Sequence, residues 1–144
     1  MRASLLGMRL ATLLLSLAGL GASIYLTIEH YDSSVPLLCS SGGTVDCAKV
    51  TSSTYSTLAG IPVAVLGLLF FVALVAAFIP PLSRWERIDE ARLACVGVGM
   101  AFVLYLVWAE LFGVNAICLW CTAVHVITLA LLATTTWSVT HRRE

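Results

Sequence analysis

The sequence predicts an all-α integral membrane protein built as a four-helix bundle. Hydrophobic residues make up 60% of the 144 residues and charged residues only 11%, a balance that excludes an ordinary water-soluble domain. Four apolar stretches are each long enough to form a transmembrane helix, which takes about 20 residues to cross a hydrocarbon core of about 30 Å. We therefore expect one transmembrane domain over residues 1–144.

The four predicted spans follow one another with short connections, apart from one longer loop. They run from Leu10 to Ile28, from Ile61 to Pro80, from Ala91 to Phe112 and from Val114 to Trp137. The first span follows two arginines, as a secretory signal does, but its apolar run exceeds the 7 to 15 residues typical of a signal core. We therefore predict a retained helix.

The loop between the first two spans has a different composition. From Tyr31 to Gly60 it contains Pro36, Gly42, Gly43 and many hydroxyl residues, which exclude a long helix. Ala48 to Leu58 is predicted to form a short interfacial helix that caps the bundle. Two of the five cysteines, Cys39 and Cys47, lie in this loop, where flexibility would let a sulfur approach and leave another disulfide.

The distribution of basic residues predicts the orientation, because short loops rich in Lys and Arg stay in the cytoplasm. Seven of the eight basic residues fall on one side of the predicted bundle: Arg2, Arg9, Arg84, Arg87, Arg92, Arg142 and Arg143. The other side has Lys49 with the acids Glu29, Asp32, Asp46 and Glu110. We expect a multi-pass protein of the plasma or inner membrane, with both termini cytoplasmic and the long loop in the compartment where disulfides persist.

A second cysteine pair, Cys118-Leu-Trp-Cys121, opens the fourth span. At a helix N-terminus this spacing puts both sulfurs on one face, and the exposed N–H groups favour the reactive thiolate. The pattern indicates redox chemistry, while a four-sulfur zinc site and two structural disulfides stay open as alternatives. The fifth cysteine, Cys95, lies near the opposite side of the membrane and is predicted to pack as a small apolar residue.

These motifs together resemble the vitamin K epoxide reductase (VKOR) family in its bacterial form. The resemblance rests on Cys39-x7-Cys47, a serine six residues later at Ser53, the Gly60-Ile-Pro-Val63 start of span 2, and Cys118-x-x-Cys121 at span 4. It implies a quinone-dependent thiol-disulfide oxidoreductase that supports disulfide bond formation. A thioredoxin-like (DsbA-like) partner is expected to be a separate protein, since the chain ends at Glu144.

The resemblance also implies a role for each cysteine. Cys39 would exchange with the partner, Cys47 would exchange with Cys118, and Cys121 would lie next to the quinone. The resemblance is compatible with menaquinone, ubiquinone and phylloquinone. No metal site and no nucleic-acid partner are predicted. The alternatives are quinone or vitamin K epoxide reduction driven by external thiols, and a non-catalytic membrane module with structural disulfides or a metal.

Two further residues are predicted to contact the quinone, His125 and Ser53. His125 occupies the position of a tyrosine near the bound quinone in vertebrate family members, one helical turn from Cys121 by the i, i+4 rule. An ionisable residue inside a span tends to face the bundle interior. The alternative is a neutral histidine that bonds to a neighbouring helix. Ser53 matches the family's loop serine, although a solvated hydroxyl would fit the same position.

Overall fold

Long helices form most of the protein in the computed structural model, which describes residues 2–32, 34–39 and 42–142. The helices are α1 (Arg2–Tyr31), α2 (Cys47–Thr51), α3 (Val63–Ala76), α4 (Ile88–Trp108) and α5 (Leu119–Thr140), with two short strands, β1 (Thr57–Leu58) and β2 (Ile61–Pro62). This architecture confirms the all-α membrane bundle. Of the residues used to predict orientation, Arg143 and the side chain of Arg2 lie outside the described part, as does Glu144.

The second predicted span is shorter than expected. Within the described residues, three helices have the length and hydropathy to cross a membrane, over Ser4–Tyr31, Ile88–Val114 and Leu119–Thr140. Instead of continuing from Ile61 to Pro80, α3 has 14 residues and ends at Ala76, and turns follow it. Prolines 80 and 81 disfavour helical backbone immediately before them, so this span consists of a shorter apolar helix with irregular ends.

The connection between α4 and α5 also differs from the expectation. The helix continues past Trp108 as a π-helical turn over Ala109–Val114, and Asn115 takes a left-handed backbone conformation with φ 54°. Asparagine tolerates this conformation better than most residues. The turn therefore lies after the predicted position near Gly113, and α5 begins at Leu119 rather than Val114.

The predicted cap helix from Ala48 to Leu58 is divided into three short elements. Helix α2 ends at Thr51, a 3-10 turn covers Thr54–Ser56, and β1 pairs antiparallel with β2. Gly60 has a φ of 81° between the two strands, a conformation that glycine adopts without steric cost. The chain therefore reverses direction between β1 and β2 and then enters α3, so the predicted segment is not one continuous helix.

The helices enclose a small apolar core and leave one side of the bundle loosely packed. Helix α1 packs against both α3 and α5, α5 packs against α4, and α3 makes few contacts with α4. The core consists of Phe71, Leu74, Val96 and Leu131. A Cβ at Gly19 would overlap the Phe71 ring, so the missing side chain lets α1 approach α3.

A cluster of charges closes the end of the bundle opposite the cysteine motifs. Asp89 of α4 is 5% exposed and accepts hydrogen bonds from Arg92 at 2.7 Å and Arg9 at 3.3 Å. Arg142, just after α5, also pairs with Asp89 at 2.7 Å. Arg92 donates a further bond to the Ala77 carbonyl. Basic residues from α1, α4 and the end of α5 therefore meet at one end of the protein.

Candidate functional site

The loop cysteines form a disulfide bond, and the Asp46 side chain next to Cys47 accepts hydrogen bonds from two backbone N–H groups. Cys39 is bonded to Cys47, the first residue of α2. Asp46 caps this helix, since one carboxylate oxygen accepts a bond from the Lys49 N–H at 3.0 Å and the other from the Gly42 N–H at 3.3 Å. A capping carboxylate satisfies N–H groups that a helix start leaves free. The loop is therefore ordered around Cys47.

A parallel backbone bridge joins this loop to the start of α5. The Ile117 N–H donates to the Thr44 carbonyl at 2.8 Å, and the Asp46 N–H donates to the Ile117 carbonyl at 3.1 Å. Cys47 comes directly after Asp46, and Cys118 comes directly after Ile117. Cys47 is 1% exposed and Cys118 is fully buried. The bridge thus brings one cysteine of each pair to the same buried corner of the bundle.

Cys118 and Cys121 are free thiols at the start of α5. Cys118 is the N-cap residue, and its Sγ accepts a hydrogen bond from the Cys121 N–H at 3.3 Å. Hydrogen bonding from Cys121 lowers the pKa of the Cys118 thiol, while burial and the nearby Glu110 carboxylate act in the opposite direction. The helix start therefore favours a thiolate at Cys118, the form that attacks disulfides.

Tyr25 connects the two cysteine-bearing segments. Its hydroxyl donates to the Pro36 carbonyl at 2.9 Å and accepts from the Leu38 N–H at 3.1 Å, immediately before Cys39. Its ring lies edge-on to Trp120, with centroids 4.7 Å apart. In the sequence, Tyr25 does not differ from the other aromatic residues that are common at membrane interfaces, so its role was not predicted.

A cavity of about 350 Å³ lies beside the second cysteine pair. Cys121 and His125 of α5 line one wall, and His125 is 8% exposed. The rest of the wall is largely apolar, and its larger side chains include Leu26, Phe70, Phe71, Phe102, Val103 and Leu106. Binding sites for small molecules typically have volumes of about 300 to 1,000 Å³ and apolar walls with a few polar groups.

Of the other predicted residues, Ser53 lies at this cavity and Cys95 lies away from it. Ser53 is half-buried among the lining residues, and its hydroxyl donates to the Val50 carbonyl at 2.8 Å. Cys95 packs against the apolar core. Among the described residues, no group of three or more His, Cys, Asp or Glu is placed to hold a metal ion.

Two acidic residues line the cavity, although the sequence predicted for them only a position on the outer side of the membrane. Glu110 is 6% exposed on the π-helical turn, and Glu29 lies near the end of α1; both line the cavity. The Oε2 atom of Glu29 is buried and has no hydrogen-bond partner among the described residues. An acid inside an apolar stretch is a recognised sign of function, and Glu110 carried that sign in the sequence.

The comparison with known families agrees with this geometry. The family model described as the Vitamin K epoxide reductase family matches residues 10–136, nearly the whole chain. The match includes α3, α4, both cysteine pairs and the cavity between the helices, together with most of α1 and α5. The two cysteine motifs on which the resemblance rested lie within the matched residues. The protein is thus a membrane thiol-disulfide oxidoreductase that belongs to the vitamin K epoxide reductase family.

Proposed function

We propose that this protein oxidises a separate thioredoxin-like protein and passes the electrons through its two cysteine pairs to a lipid quinone, which supports disulfide bond formation. The observation that carries the proposal is the position of Cys121. It belongs to a free dithiol, it lines an apolar cavity, and the loop disulfide is held by a backbone bridge next to its partner Cys118.

The first half of the reaction is disulfide exchange. A thiolate of the reduced partner attacks Cys39, which is more accessible than Cys47, and the second partner thiol releases the partner in its disulfide form. The loop dithiol then reduces an oxidised Cys118/Cys121 pair. Cys47 attacks Cys118 and frees the Cys121 thiolate, after which Cys39 attacks Cys47 and frees Cys118. Two electrons have then moved from the partner to the second pair.

The second half transfers these electrons to a quinone substrate in the cavity. Cys121 and His125 would face the quinone ring, and the aromatic and aliphatic wall would hold it. Because α3 and α4 make few contacts, the cavity lies open between them, and Val98 lines it while being 74% exposed. A quinone dissolved in the bilayer would enter on this side. The shared carbonyl chemistry of menaquinone, ubiquinone and phylloquinone suits the site equally.

The proposed orientation puts the cysteines on the extracytoplasmic side. Its support is the convergence of Arg9, Arg92 and Arg142 at Asp89, at the opposite end of the bundle from Cys118. Basic residues remain on the cytoplasmic side during insertion. This orientation exposes the Cys39 segment to a compartment in which disulfides are formed.

Purified protein in detergent provides a direct test of the proposed function. The protein is fully reduced, freed of reductant and mixed with a short-chain menaquinone, and quinol formation is followed by ultraviolet absorbance. We expect quinol to appear as protein thiols disappear, at two thiols for each quinol. If the thiols stay reduced in the presence of quinone, the proposal is contradicted. That result is the one expected of a membrane module whose disulfides are only structural.

His125 is expected to contribute to the quinone step. A ring nitrogen that donates a hydrogen bond to a quinone carbonyl stabilises the charge that develops there during reduction. We expect His125→Ala to raise the quinone KM or lower kcat, while exchange between the two cysteine pairs stays near normal. His125→Tyr should recover part of the activity. These parameters are measured by steady-state kinetics with a small dithiol as donor.

Val126→Ala is the matched control, because Val126 is 60% exposed on the same helix and does not line the cavity. Its quinone kinetics should equal those of the wild type. If His125→Ala keeps normal quinone kinetics and only unfolds at a lower temperature, His125 is a packing residue and its assignment to the quinone is wrong.

A further inference from the structure

We propose that Glu110 is the proton carrier of the quinone step, an inference that rests on the proposed function. Oxidation of a dithiol releases two protons, and reduction of a quinone to a quinol takes up two. Cys118 is fully buried, Cys121 is partly buried, and the cavity opens between α3 and α4 on the side that would face lipid, so bulk water does not reach all of this site. A carboxyl group between the thiols and the acceptor would move these protons within the protein.

The position of Glu110 meets the requirements of that role. It lines the same cavity as Cys121 and His125, and its carboxylate is close enough to Cys118 to act electrostatically on that thiol. Within the described part of the chain, no ion pair or side-chain hydrogen bond engages this carboxylate. A structural acid in a bundle would be paired, as Asp89 is with its arginines, because an unpaired buried carboxylate is costly.

The backbone around Glu110 is a second, independent observation. Glu110 lies on the π-helical turn, and its carbonyl accepts a hydrogen bond from the Ala116 N–H at 3.1 Å. This contact folds the turn back toward the residues just before Cys118. Single π-helical turns inside α-helices are frequent at functional sites. The irregular turn therefore holds the Glu110 backbone next to the start of α5.

The proposed step is balanced in atoms and electrons. The S–H bonds of Cys118 and Cys121 break, an S–S bond forms, and two electrons pass to the quinone. Glu110 accepts each thiol proton in turn and gives it to a quinone oxygen, so two O–H bonds form. Glu110 returns to its starting protonation state. No other oxidant or reductant is needed.

Glu29 provides a connection from Glu110 to the outer surface. Its unpartnered Oε2 atom is buried at the same cavity, and His30 beside it also lines the cavity. The titratable groups that share this cavity are Glu29, His30, Tyr55, Glu110, Cys121 and His125. Helix α2 packs near the π-helical turn; there Asp46 is engaged in capping and Lys49 is exposed. Glu29 is therefore the group through which we expect protons to exchange with the aqueous side.

The test is the Glu110→Gln variant, which keeps the size of the side chain and removes its ability to carry a proton. Single-turnover oxidation of the reduced protein by short-chain menaquinone should slow by about 100-fold or more, as losses of a general acid–base group do. The pH dependence of this rate should also flatten. Glu110→Asp, which keeps the carboxyl group, should recover part of the rate.

Infrared difference spectra give a readout that does not need quinone. We compare the dithiol and disulfide states of the protein alone and expect a carboxyl band that shifts between them, because the neighbouring Cys118 changes from a thiol to a disulfide. This band should be absent from Glu110→Gln. Asp32→Asn is the control, since Asp32 is exposed and hydrogen-bonded to Ser34 outside the cavity. It should leave both the rate and the band unchanged.

The outcomes separate this inference from the proposed function. If the reduced wild type does not reduce quinone, the proposed function fails. If the wild type is active and Glu110→Gln oxidises at a similar rate with the same pH profile, Glu110 carries no proton and the inference alone is overturned. A variant that is slow but keeps the wild-type pH profile and the carboxyl band would also overturn it.

Discussion

Cys121→Ala is expected to abolish quinone reduction by the reduced protein. Cys121 is the cysteine that lines the cavity, and without it Cys118 cannot close the disulfide that releases two electrons. The rate should fall by about 1,000-fold or more, as losses of an essential nucleophile do. The measurement is quinol formation under single-turnover conditions, with the remaining thiols counted at the end of the reaction.

Cys47→Ala should give a different result in the same assay. The reduced wild type has two dithiols and should form two quinols per protein, because the loop pair refills the second pair. In Cys47→Ala only Cys118 and Cys121 form a pair, so the yield should fall to one quinol while the first turnover stays fast. Turnover with reduced DsbA as electron donor should be lost, although a small dithiol should still support it.

Cys95→Ala is the matched cysteine control, because Cys95 packs against the apolar core and is not a member of either pair. It should keep both the rate and the yield of the wild type. Equal losses in Cys47→Ala and Cys121→Ala with a small dithiol would contradict separate roles for the two pairs. A yield of one quinol from the fully reduced wild type, equal to that of Cys47→Ala, would show that the loop pair does not feed the second pair.

Asp89→Asn is expected to cause the largest loss of stability. Asp89 is the shared carboxylate for three arginines, and the side chain of Arg92 is only 6% exposed. Removing one partner of a buried ion pair typically costs about 3 to 5 kcal/mol, because the other charge stays buried without compensation. The free energy of unfolding in a fixed detergent, measured by chemical denaturation, should decrease by this amount relative to the wild type.

Two further variants show whether the charge is responsible. Glu86→Gln changes an exposed acid near the same end of the bundle and should alter stability by less than about 0.5 kcal/mol. Asp89→Leu combined with Arg92→Met replaces the pair with apolar side chains and should recover much of the loss. If Asp89→Asn is as stable as the wild type, the arginines are solvated and the cluster does not hold the helices together.

The sequence alone was sufficient for the class of protein and for its family. The composition and the lengths of the apolar stretches are properties of the chain itself. They predict transmembrane helices through the hydrophobic effect alone, without any knowledge of tertiary contacts. The cysteine motifs are local, so Cys118-x-x-Cys121 could be placed at a helix start and His125 one turn away on the same face. The family resemblance followed from the same local patterns, and the match over residues 10–136 confirms it.

Helix ends were predicted less well, since they depend on competing local and tertiary effects. The sequence predicted a 20-residue second span, whereas prolines 80 and 81 follow a helix that ends at Ala76. It also predicted that the last helix begins at Val114, but the π-helical turn and the left-handed Asn115 delay the start to Leu119. Hydropathy does not distinguish a helix from an apolar turn.

Only the tertiary structure decided which residues meet. The bridge between Thr44 and Ile117, the hydrogen bonds of Tyr25 and the inclusion of Glu110 in the cavity each join residues far apart in the chain. The sequence determined the chemical type of each of these side chains. Their distances depend on how α1, α4 and α5 pack, because contacts between distant segments arise from side-chain packing that no local pattern encodes.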